Sequence, residues 1–166
     1  MRVYLAQCMD NLPYYEHYTK LCNIIEDNGH SVYHPWRDEG VILEDKSTLA
    51  ESLRTFNNDV DNIKTCDVMV ACIDGLGPDS GTCVETGIAY ALNKPVILYT
   101  TEFKFLREGS NISDIFPKEC LPANENSKVR TQPMINNMLI GVSNGVVCHT
   151  PQEILDKINN MMLRGE

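Results

Sequence analysis

The sequence predicts an α/β domain with a parallel sheet, and three observations support this. Short apolar runs alternate with segments in which apolar residues recur every three to four positions, the usual alternation of strands and helices. The run over residues 67–73, DVMVACI, is almost entirely apolar, as expected for a central strand covered on both faces. The chain of 166 residues is about the size of one ordinary domain, so we expect residues 1–166 to form a single domain.

The first part of the chain contains two predicted strands around a helix. Residues 3–6 form an apolar run that predicts the first strand. The apolar residues of the helix that follows lie on one stripe: Tyr14, Tyr18, Leu21, Cys22 and Ile25. Asn28 and Gly29 favour the left-handed conformation that ends helices. A short second strand is predicted over residues 31–34, and Pro35 closes it.

The middle of the chain contains two helices and two strands. The first helix is predicted over residues 47–64, where the apolar residues are spaced three or four apart: Leu49, Leu53, Phe56, Val60 and Ile63. The strand over residues 67–73 follows it. A glycine-containing loop, DGLGPDSG, then leads into a helix over residues 82–92 and a fourth strand over residues 95–99.

The last part of the chain begins with a polar stretch and ends with a helix. Residues 101–133 have no steady apolar period, and we predict a long loop that is a candidate lid. The last strand is predicted over residues 142–148. Thr150 and Glu153 match a capping box that opens the final helix, with Pro151 at its first position. The apolar residues of this helix are expected to face inward: Ile154, Leu155, Ile158 and Met162.

Five strands separated by helices predict a flavodoxin-like, doubly wound five-stranded parallel sheet with helices on both faces. The usual strand order of such sheets is 2-1-3-4-5. Ligands bind beyond the carboxyl ends of the strands at the point where the strand order reverses, here the first and third strands. Functional residues are therefore expected near Tyr4 and in the loop after Ile73.

Composition and charge disfavour several classes of function. The net charge of −9 disfavours nucleic acid and anionic membrane surfaces as partners, because both select Lys and Arg. No apolar run approaches the roughly 20 residues that span a bilayer, and the N-terminus lacks the pattern of a signal peptide, so a cytoplasmic protein is expected. The seven cysteines and four histidines show no metal-ligand spacing, so we expect buried thiols, no metal site and no cofactor.

The candidate chemistry lies where the loop after the third strand enters the next helix. Asp79 and Glu85 are six residues apart, and both are directed at the predicted crevice. Gly81 and Gly87 leave room for a ligand to approach the backbone. The nearby helix N-terminus favours an ionised carboxylate, as a nucleophile requires. A structural role is equally open, because Thr82 and Glu85 satisfy a capping-box pattern and Asp79 could cap the helix or turn the loop.

Four segments, in the expected order, resemble the nucleoside 2-deoxyribosyltransferase family. Residues 79–98, DSGTCVETGIAYALNKPVIL, resemble the segment in which a loop aspartate precedes the catalytic glutamate in a D-x-G-x-x-x-E-x-G pattern. Residues 3–6 resemble the first strand of the family with its tyrosine. Residues 57–67 resemble its N-D helix and the strand that follows, and residues 135–141 resemble its N-x-M-x-x-G stretch. The resemblance implies exchange of the base of a 2′-deoxynucleoside for a free purine or pyrimidine.

The resemblance also implies roles for three catalytic residues. Glu85 would attack the anomeric carbon of the deoxyribose and hold the sugar as a covalent ester. Tyr4 would orient that carboxylate, and its alternative is a tyrosine of the strand core. Asp59 would protonate or hydrogen-bond the departing base, and its alternative is a solvated helix carboxylate.

Further residues are implied to bind substrate. Asp79 matches a position that helps hold the sugar, at its 5′-hydroxyl. Asn136 matches an asparagine that reaches the 5′ end of the sugar from a neighbouring subunit, which implies a homo-oligomer with shared sites; the alternative is a turn asparagine. Glu39 roughly matches a base-contacting position.

Two other functions fit the same pattern. One is an N-glycosidase that hydrolyses 2′-deoxynucleoside 5′-monophosphates with the same glutamate. Asp79 would repel a 5′-phosphate, whereas Ser80 and Ser143 could bind one. The other is a non-catalytic nucleotide-binding module, in which Glu85 only caps its helix. A flavin carrier is suggested by the fold class alone, but the loop after the first strand lacks a phosphate cradle rich in Ser, Thr and Gly.

Overall fold

The computed structural model describes residues 1–7, 12–39, 48–74, 79–101 and 135–164. The loop predicted over residues 101–133 therefore lies outside the described residues, except for Thr101. No helix within these ranges combines the length and the apolar composition needed to cross a membrane.

The described residues contain one sheet of five parallel strands, as predicted. The strands are β1 (Arg2–Ala6), β2 (Ser31–Tyr33), β3 (Val68–Cys72), β4 (Val96–Tyr99) and β5 (Val147–Cys148). Their order is β2-β1-β3-β4-β5, which is the predicted 2-1-3-4-5 order. The strand order reverses between β1 and β3, so the carboxyl ends of these two strands form the crevice of the fold.

Helices cover both faces of the sheet, which confirms the predicted fold class. The helices are α1 (Leu12–Asp27), α2 (Pro35–Glu39), α3 (Leu49–Thr65), α4 (Ser80–Ala91), α5 (Asn137–Val142) and α6 (Pro151–Arg164). One apolar core lies between the sheet and helices α1 and α6, and a second lies between the sheet and helices α3, α4 and α5. The sheet therefore separates two cores, and a side chain belongs to one or the other by its position along a strand.

Strand β1 shows how this alternation places the residues of interest. Val3 and Leu5 belong to the core under α1 and α6, whereas Tyr4 and Ala6 belong to the core under α3 and α4. Both neighbours of β1 in the sheet pair with it, so Tyr4 lies opposite Tyr33 on one side and opposite Met69 on the other. Tyr4 consequently projects from the middle of the sheet towards α3 and α4.

The prediction of a last strand over residues 142–148 is wrong in its first half. Val142 is the final residue of α5, and only Val147 and Cys148 pair with β4. Asn144 and Gly145 have φ angles of 51° and 75°, the left-handed conformation that ends a helix. The sequence Ser-Asn-Gly carried this turn signal, but the apolar residues on either side of it suggested one continuous strand.

One prediction of a buried position is also wrong. Met162 on α6 is 53% exposed, and its neighbour Met161 packs against the core instead. On α3, Leu49, Leu53 and Phe56 are all at least half exposed, although Ile63 on the same stripe is fully buried. The apolar stripe of α3 therefore covers the core only at its C-terminal end, and its N-terminal end faces open space among the described residues.

The carboxyl group of Asp74 fastens the end of β3 to its surroundings. It is buried and accepts hydrogen bonds from the hydroxyl groups of Tyr18 and Thr100. It also accepts bonds from the backbone N–H and the hydroxyl of Thr101, each at 2.8 Å. Asp74 thus joins α1, β3 and the end of β4 at the edge of the sheet where the crevice lies.

We predict that Asp74→Ala destabilises the chain by about 2–4 kcal/mol, because it leaves buried hydroxyl groups without an acceptor. Urea unfolding followed by circular dichroism would measure the loss. Asp61→Ala is a matched control, since this exposed carboxylate contacts only exposed Lys64 in the described contacts and should change stability by less than about 0.5 kcal/mol. Equal losses in the two variants would contradict the anchoring role of Asp74.

Candidate active site

The hydroxyl group of Tyr4 lies between two carboxyl groups. Its oxygen is 2.7 Å from Glu85 Oε1 and 3.1 Å from Asp59 Oδ1. Three elements contribute one residue each: β1 provides Tyr4, α3 provides Asp59 and α4 provides Glu85. The structure therefore brings together the three residues that sequence analysis singled out as catalytic.

The two contacts of Tyr4 constrain the protons of the group. A tyrosine hydroxyl has one proton, so it can donate to only one carboxylate at a time. The shorter contact is to Glu85, which favours donation to an ionised Glu85. The longer contact is a hydrogen bond at the same moment only if Asp59 carries a proton and donates it to the Tyr4 oxygen. The fully bonded arrangement thus has an ionised Glu85 and a protonated Asp59.

The pKa values of both carboxyl groups are raised towards neutral pH, and that of Glu85 is raised further, so a single proton on the free pair resides mainly on Glu85 and must move to Asp59 before Glu85 can act as a nucleophile. Burial raises the pKa of Glu85 from 4.5 to about 7, with smaller increases from the charges of Asp59 and Asp79 and an opposing effect of the Tyr4 hydrogen bond. Burial also raises the pKa of Asp59 from 3.8 to about 6, and the charge of Glu39 adds to the increase. The pKa of Tyr4 is raised as well, chiefly by burial, so its hydroxyl stays protonated. Desolvation outweighs the helix N-terminus that was expected to favour an ionised Glu85.

The start of α4 resolves which acidic residue caps this helix. Asp79 is the N-cap, and its Oδ2 accepts a hydrogen bond of 3.1 Å from the backbone N–H of Thr82. Glu85 lies one turn beyond Thr82, and its carboxylate accepts a hydrogen bond from Tyr4. The capping-box interpretation of Thr82 and Glu85 is therefore wrong, and the capping alternative for Asp79 is confirmed. Asp79 also lies close enough to Glu85 to affect its pKa.

Gly81 makes room for the cap of α4. A Cβ atom at this position would lie 2.8 Å from Asp79 Oδ2, closer than such atoms approach in proteins. A Cβ atom at Gly87 would meet nothing within 4 Å. The glycine in the pattern Asp-Ser-Gly thus allows the aspartate side chain to cap its own helix. Sequence analysis had connected this glycine with the approach of a ligand.

Asp59 and Glu85 open onto a cavity of about 740 Å³ between α3 and α4. A cavity of this size can hold a small-molecule ligand. Half-exposed Phe56 and exposed Val84 form apolar parts of its wall, and Ser80 and Thr55 also line it. Glu85 itself is partly buried, so the wall presents both carboxyl groups at the edge of an apolar surface.

Glu39 lies in a second polar cluster beside the first. Its carboxylate accepts hydrogen bonds from the hydroxyl of Tyr33 and the side-chain amide of Asn58. Tyr33 is directly opposite Tyr4 in the sheet, and the two ring centroids are 5.3 Å apart. Sequence analysis missed helix α2, which carries Glu39, because Pro35 was interpreted as closing a strand and not as opening a helix.

Asn136 makes no described contact with Asp59 or Glu85. It is exposed and caps α5, with its Oδ1 accepting a 2.8 Å hydrogen bond from the backbone N–H of Met138. Helix α5 packs against α4, the helix that carries Glu85. Asn136 thus has a structural role as a helix cap, and no hydrogen bond among the described residues joins it to Tyr4, Asp59 or Glu85.

Sequence analysis missed Thr55 as a residue of this site. Thr55 precedes Asp59 by four residues, so both lie on one face of α3 and line the same cavity. That spacing was visible in the sequence. The apolar stripe that contains Phe56 obscured this signal, because such a stripe usually faces a core.

Comparison with known sequences identifies similar proteins. The nucleoside 2-deoxyribosyltransferase family matches residues 3–155. A curated nucleoside deoxyribosyltransferase from Limosilactobacillus fermentum is 41% identical over 51 residues, which are 31% of this chain. The match covers 30% of the length of that relative.

Comparison with solved structures identifies similar folds. The 2-deoxyribosyltransferase of Bacillus psychrosaccharolyticus is 29% identical, with a TM-score of 0.56 over 65% of this chain and 78% of its own. The CMP N-glycosidase BcmB of Clostridium botulinum is 21% identical, with a TM-score of 0.50 over 96% of this chain and 98% of its own. The similarity to the second protein concerns the fold alone.

We predict that Glu85→Gln stabilises the chain, and more so at high pH. Because the pKa of Glu85 is raised from 4.5 to about 7, the folded chain binds more protons than the unfolded chain between these values. The stability of the wild type therefore falls as the pH rises through this range, and glutamine removes that loss. At about pH 8 we expect a gain of roughly 3 kcal/mol, which should disappear below about pH 4. Thermal unfolding across this range would measure it, and a gain independent of pH would contradict the burial of an ionisable Glu85.

Proposed function

We propose that this chain, which belongs to the nucleoside 2-deoxyribosyltransferase family, exchanges the base of 2′-deoxynucleosides for a free purine or pyrimidine. The observation that carries the proposal is the Tyr4 hydroxyl between Glu85 and Asp59 at the edge of a cavity. One proton shared by two carboxyl groups supplies a nucleophile and an acid at the same pH. That is the pair of groups that cleavage of a glycosidic bond requires.

In the first step, an oxygen of ionised Glu85 attacks the anomeric carbon of the sugar. The bond from that carbon to the base nitrogen breaks, and its electrons go to the base. Asp59 donates its proton to the departing base, which leaves as a neutral molecule. Glu85 is now a neutral ester and Asp59 is ionised, so the proton of Tyr4 turns from Glu85 to Asp59. The Tyr4 hydroxyl thus donates its hydrogen bond to whichever carboxylate is ionised, and it keeps its own proton throughout.

In the second step, a nitrogen of another free base attacks the same carbon. The ester bond breaks, Glu85 regains its negative charge, and Asp59 accepts a proton from the incoming base. Each step inverts the anomeric carbon, so a β-nucleoside gives a β-nucleoside. Water in place of the second base would give hydrolysis, and the apolar wall formed by Phe56 and Val84 favours a flat heterocycle over water.

The remaining residues have proposed roles in binding. Asp79 uses one carboxylate oxygen as the cap of α4, and its other oxygen would accept a hydrogen bond from the 5′-hydroxyl of the sugar. Glu39 would lie beside the base, next to the contacts of Asp59. Asn136 would reach the sugar of a neighbouring subunit in a homo-oligomer, which agrees with its exposure on α5.

Hydrolysis of 2′-deoxynucleoside 5′-monophosphates is the alternative activity. It would use the same two carboxyl groups, with water resolving the ester. The carboxylate of Asp79 beside Glu85 disfavours a phosphate at this end of the sugar, because like charges repel. Ser80 lines the cavity, whereas Ser143 lines a different groove beside the start of β4, together with Lys157 and Arg164.

We predict that Glu85→Gln lowers base exchange by at least about 1,000-fold, because no nucleophile remains to hold the sugar. Chromatography of deoxyinosine or thymidine incubated with a second free base would measure the new nucleoside. Mass spectrometry of the wild type without an acceptor base should show one deoxyribosyl group attached to Glu85.

A matched control is Glu16→Gln, which makes the same change at an exposed position of α1 and should leave exchange unaltered. Near-wild-type exchange by Glu85→Gln would refute the proposed nucleophile. Release of free base without exchange, above all from a 5′-monophosphate, would establish the hydrolase. A wild type that binds nucleosides but transforms none would establish a binding module.

Shared sites predict that inactive subunits restore each other. A mixture of Glu85→Gln and Asn136→Ala subunits should regain about a quarter of wild-type exchange if subunits associate at random as dimers, because one site in such a hybrid has both residues. Exchange measured after mixed refolding checks this. Glu85→Gln mixed with Glu85→Ala is the control and should regain nothing. A mixture no more active than its separate components would exclude a contribution of Asn136 across subunits.

A further inference from the structure

Glu39 lies in a cluster of polar side chains beside the group formed by Tyr4 and the two carboxyl groups. Its Oε1 accepts hydrogen bonds from the hydroxyl of Tyr33 and the side-chain amide of Asn58. The amide nitrogen of Asn58 also lies 3.3 Å from the hydroxyl oxygen of Tyr33, so the three side chains contact one another. Two donors on one carboxylate favour its ionised form. The cluster therefore holds a negative charge in a defined place.

The direction of the Asn58 amide is set from the opposite end of the same polar chain. The guanidinium group of Arg2 donates to Asn62 Oδ1 at 2.6 Å. An arginine side chain donates and never accepts, so the oxygen of Asn62 faces Arg2 and its amino group faces Asn58. That amino group is 2.9 Å from the backbone carbonyl oxygen of Asn58 and 3.5 Å from its side-chain oxygen. The amino group of Asn58 is consequently left to donate to Glu39.

Each donor to Glu39 is a direct neighbour of Asp59 or of Tyr4. Asn58 precedes Asp59 on α3. Tyr33 lies opposite Tyr4 in the sheet, and their ring centroids are 5.3 Å apart. The hydroxyl of Tyr4 in turn lies 3.1 Å from Asp59. The two donors thus hold the Glu39 carboxylate close to the Asp59 side of the carboxyl pair.

The charge of Glu39 acts unequally on the two carboxyl groups. Three groups face Asp59 from the elements around it: Tyr4 from β1, Glu85 from α4 and Glu39 from α2. Burial raises the pKa of Asp59 most, the hydrogen bond from Tyr4 opposes this, and the charge of Glu39 adds to the increase. The charges that raise the pKa of Glu85 are those of Asp59 and Asp79. Glu39 therefore favours a proton on Asp59 over one on Glu85.

No cation among the described residues forms an ion pair with Glu39. Arg37, the only cation of α2, pairs with Glu26 and Asp38 instead. His34, directly before α2, is buried, and burial lowers its pKa to about 4, so it is neutral near pH 7. Hydrogen bonds, and not a counter-ion, therefore stabilise the charge of Glu39 in this part of the chain.

Resting on the proposed function, we propose that Tyr33 and Asn58 are positioning residues that fix the charge of Glu39 beside the acid of the reaction. That charge lowers the free energy of moving the shared proton from Glu85 to Asp59, which leaves Glu85 as the ionised nucleophile. In the second step, the same charge makes ionised Asp59 a stronger acceptor for the proton of the incoming base. This effect requires no contact between Glu39 and the base, so it is distinct from a binding role.

The test follows the protonation of Asp59 in a Glu85→Gln background, in which the partner carboxyl group no longer titrates. Carbon NMR spectroscopy of the Asp59 carboxyl group in the full-length protein measures the pH at which this group loses its proton. Glu39→Gln removes the charge and keeps the shape of the side chain. Tyr33→Phe and Asn58→Ala each remove one donor to Glu39.

We expect Asp59 to lose its proton at lower pH in Glu39→Gln, since the neighbouring negative charge is gone. Tyr33→Phe and Asn58→Ala should shift this pH in the same direction by a smaller amount, because the charge remains but is held less firmly. An unchanged titration of Asp59 in Glu39→Gln, or in both donor variants, would overturn the proposal.

Matched controls make the same changes at exposed residues. Glu16→Gln on α1, Tyr90→Phe on α4 and Asn57→Ala on α3 should leave the titration of Asp59 unaltered. Asn57 is the residue directly before Asn58, so it also controls for a change in the helix itself. Shifts in the controls as large as those in the corresponding variants would overturn the proposal.

Kinetics in the active protein give a second readout. Glu39→Gln should lower kcat about threefold near pH 7, the order expected when one nearby like charge is removed in partly solvated surroundings. The acidic limb of the kcat profile should move to lower pH, because Asp59 then gains its proton at lower pH. A higher KM for the base with kcat and the titration of Asp59 unchanged would reduce Glu39 to a contact of the base and would overturn the proposal.

Failure of the proposed function would give a different result. A wild type that neither exchanges nor releases any base would refute that function, but the titration of Asp59 needs no turnover. A lower titration pH in Glu39→Gln would then still support the placement of the proton by Glu39, whereas an unchanged one would overturn it as well.

Discussion

The hydroxyl group of Tyr4 has one proton and two carboxyl groups within hydrogen-bond distance. This constraint connects three elements that are far apart in sequence, because β1, α3 and α4 must all approach the same oxygen atom. It also fixes the charge of the group, since two ionised carboxylates around one hydroxyl would leave one of them without a donor. The raised pKa values of Glu85 and Asp59 follow from the same burial that brings the three side chains together.

The sequence was sufficient for the strand order and for the identity of the central residues. The period of the apolar residues distinguished strands from helices, and the alternation of the two predicted a parallel sheet. The pattern around Glu85, together with the first strand and the N-D helix, indicated which side chains would meet, and Tyr4, Asp59 and Glu85 do meet. These features depend on local pattern and on a resemblance spread along the chain.

Other features depended on tertiary context that a local pattern does not contain. The stripe that includes Leu53 and Phe56 has the spacing of a buried helix face, yet both side chains are about half exposed, and Phe56 lines the cavity. A proline after a strand can end that strand or begin a helix, and Pro35 begins helix α2. The protonation of Asp59 and Glu85 likewise depends on desolvation and neighbouring charges, which only the packed structure defines.

The position of Tyr4 in the sheet determines at which stage of thermal unfolding this residue becomes displaced. Strand β1 is paired on both sides, and Tyr4 is fully buried within it. Amide groups in such central strands exchange with solvent only when a whole domain opens, whereas those of peripheral segments exchange through local fluctuations. The residue that orients both carboxyl groups therefore belongs to the most cooperative part of the molecule. The position of Tyr4 should therefore persist up to global unfolding.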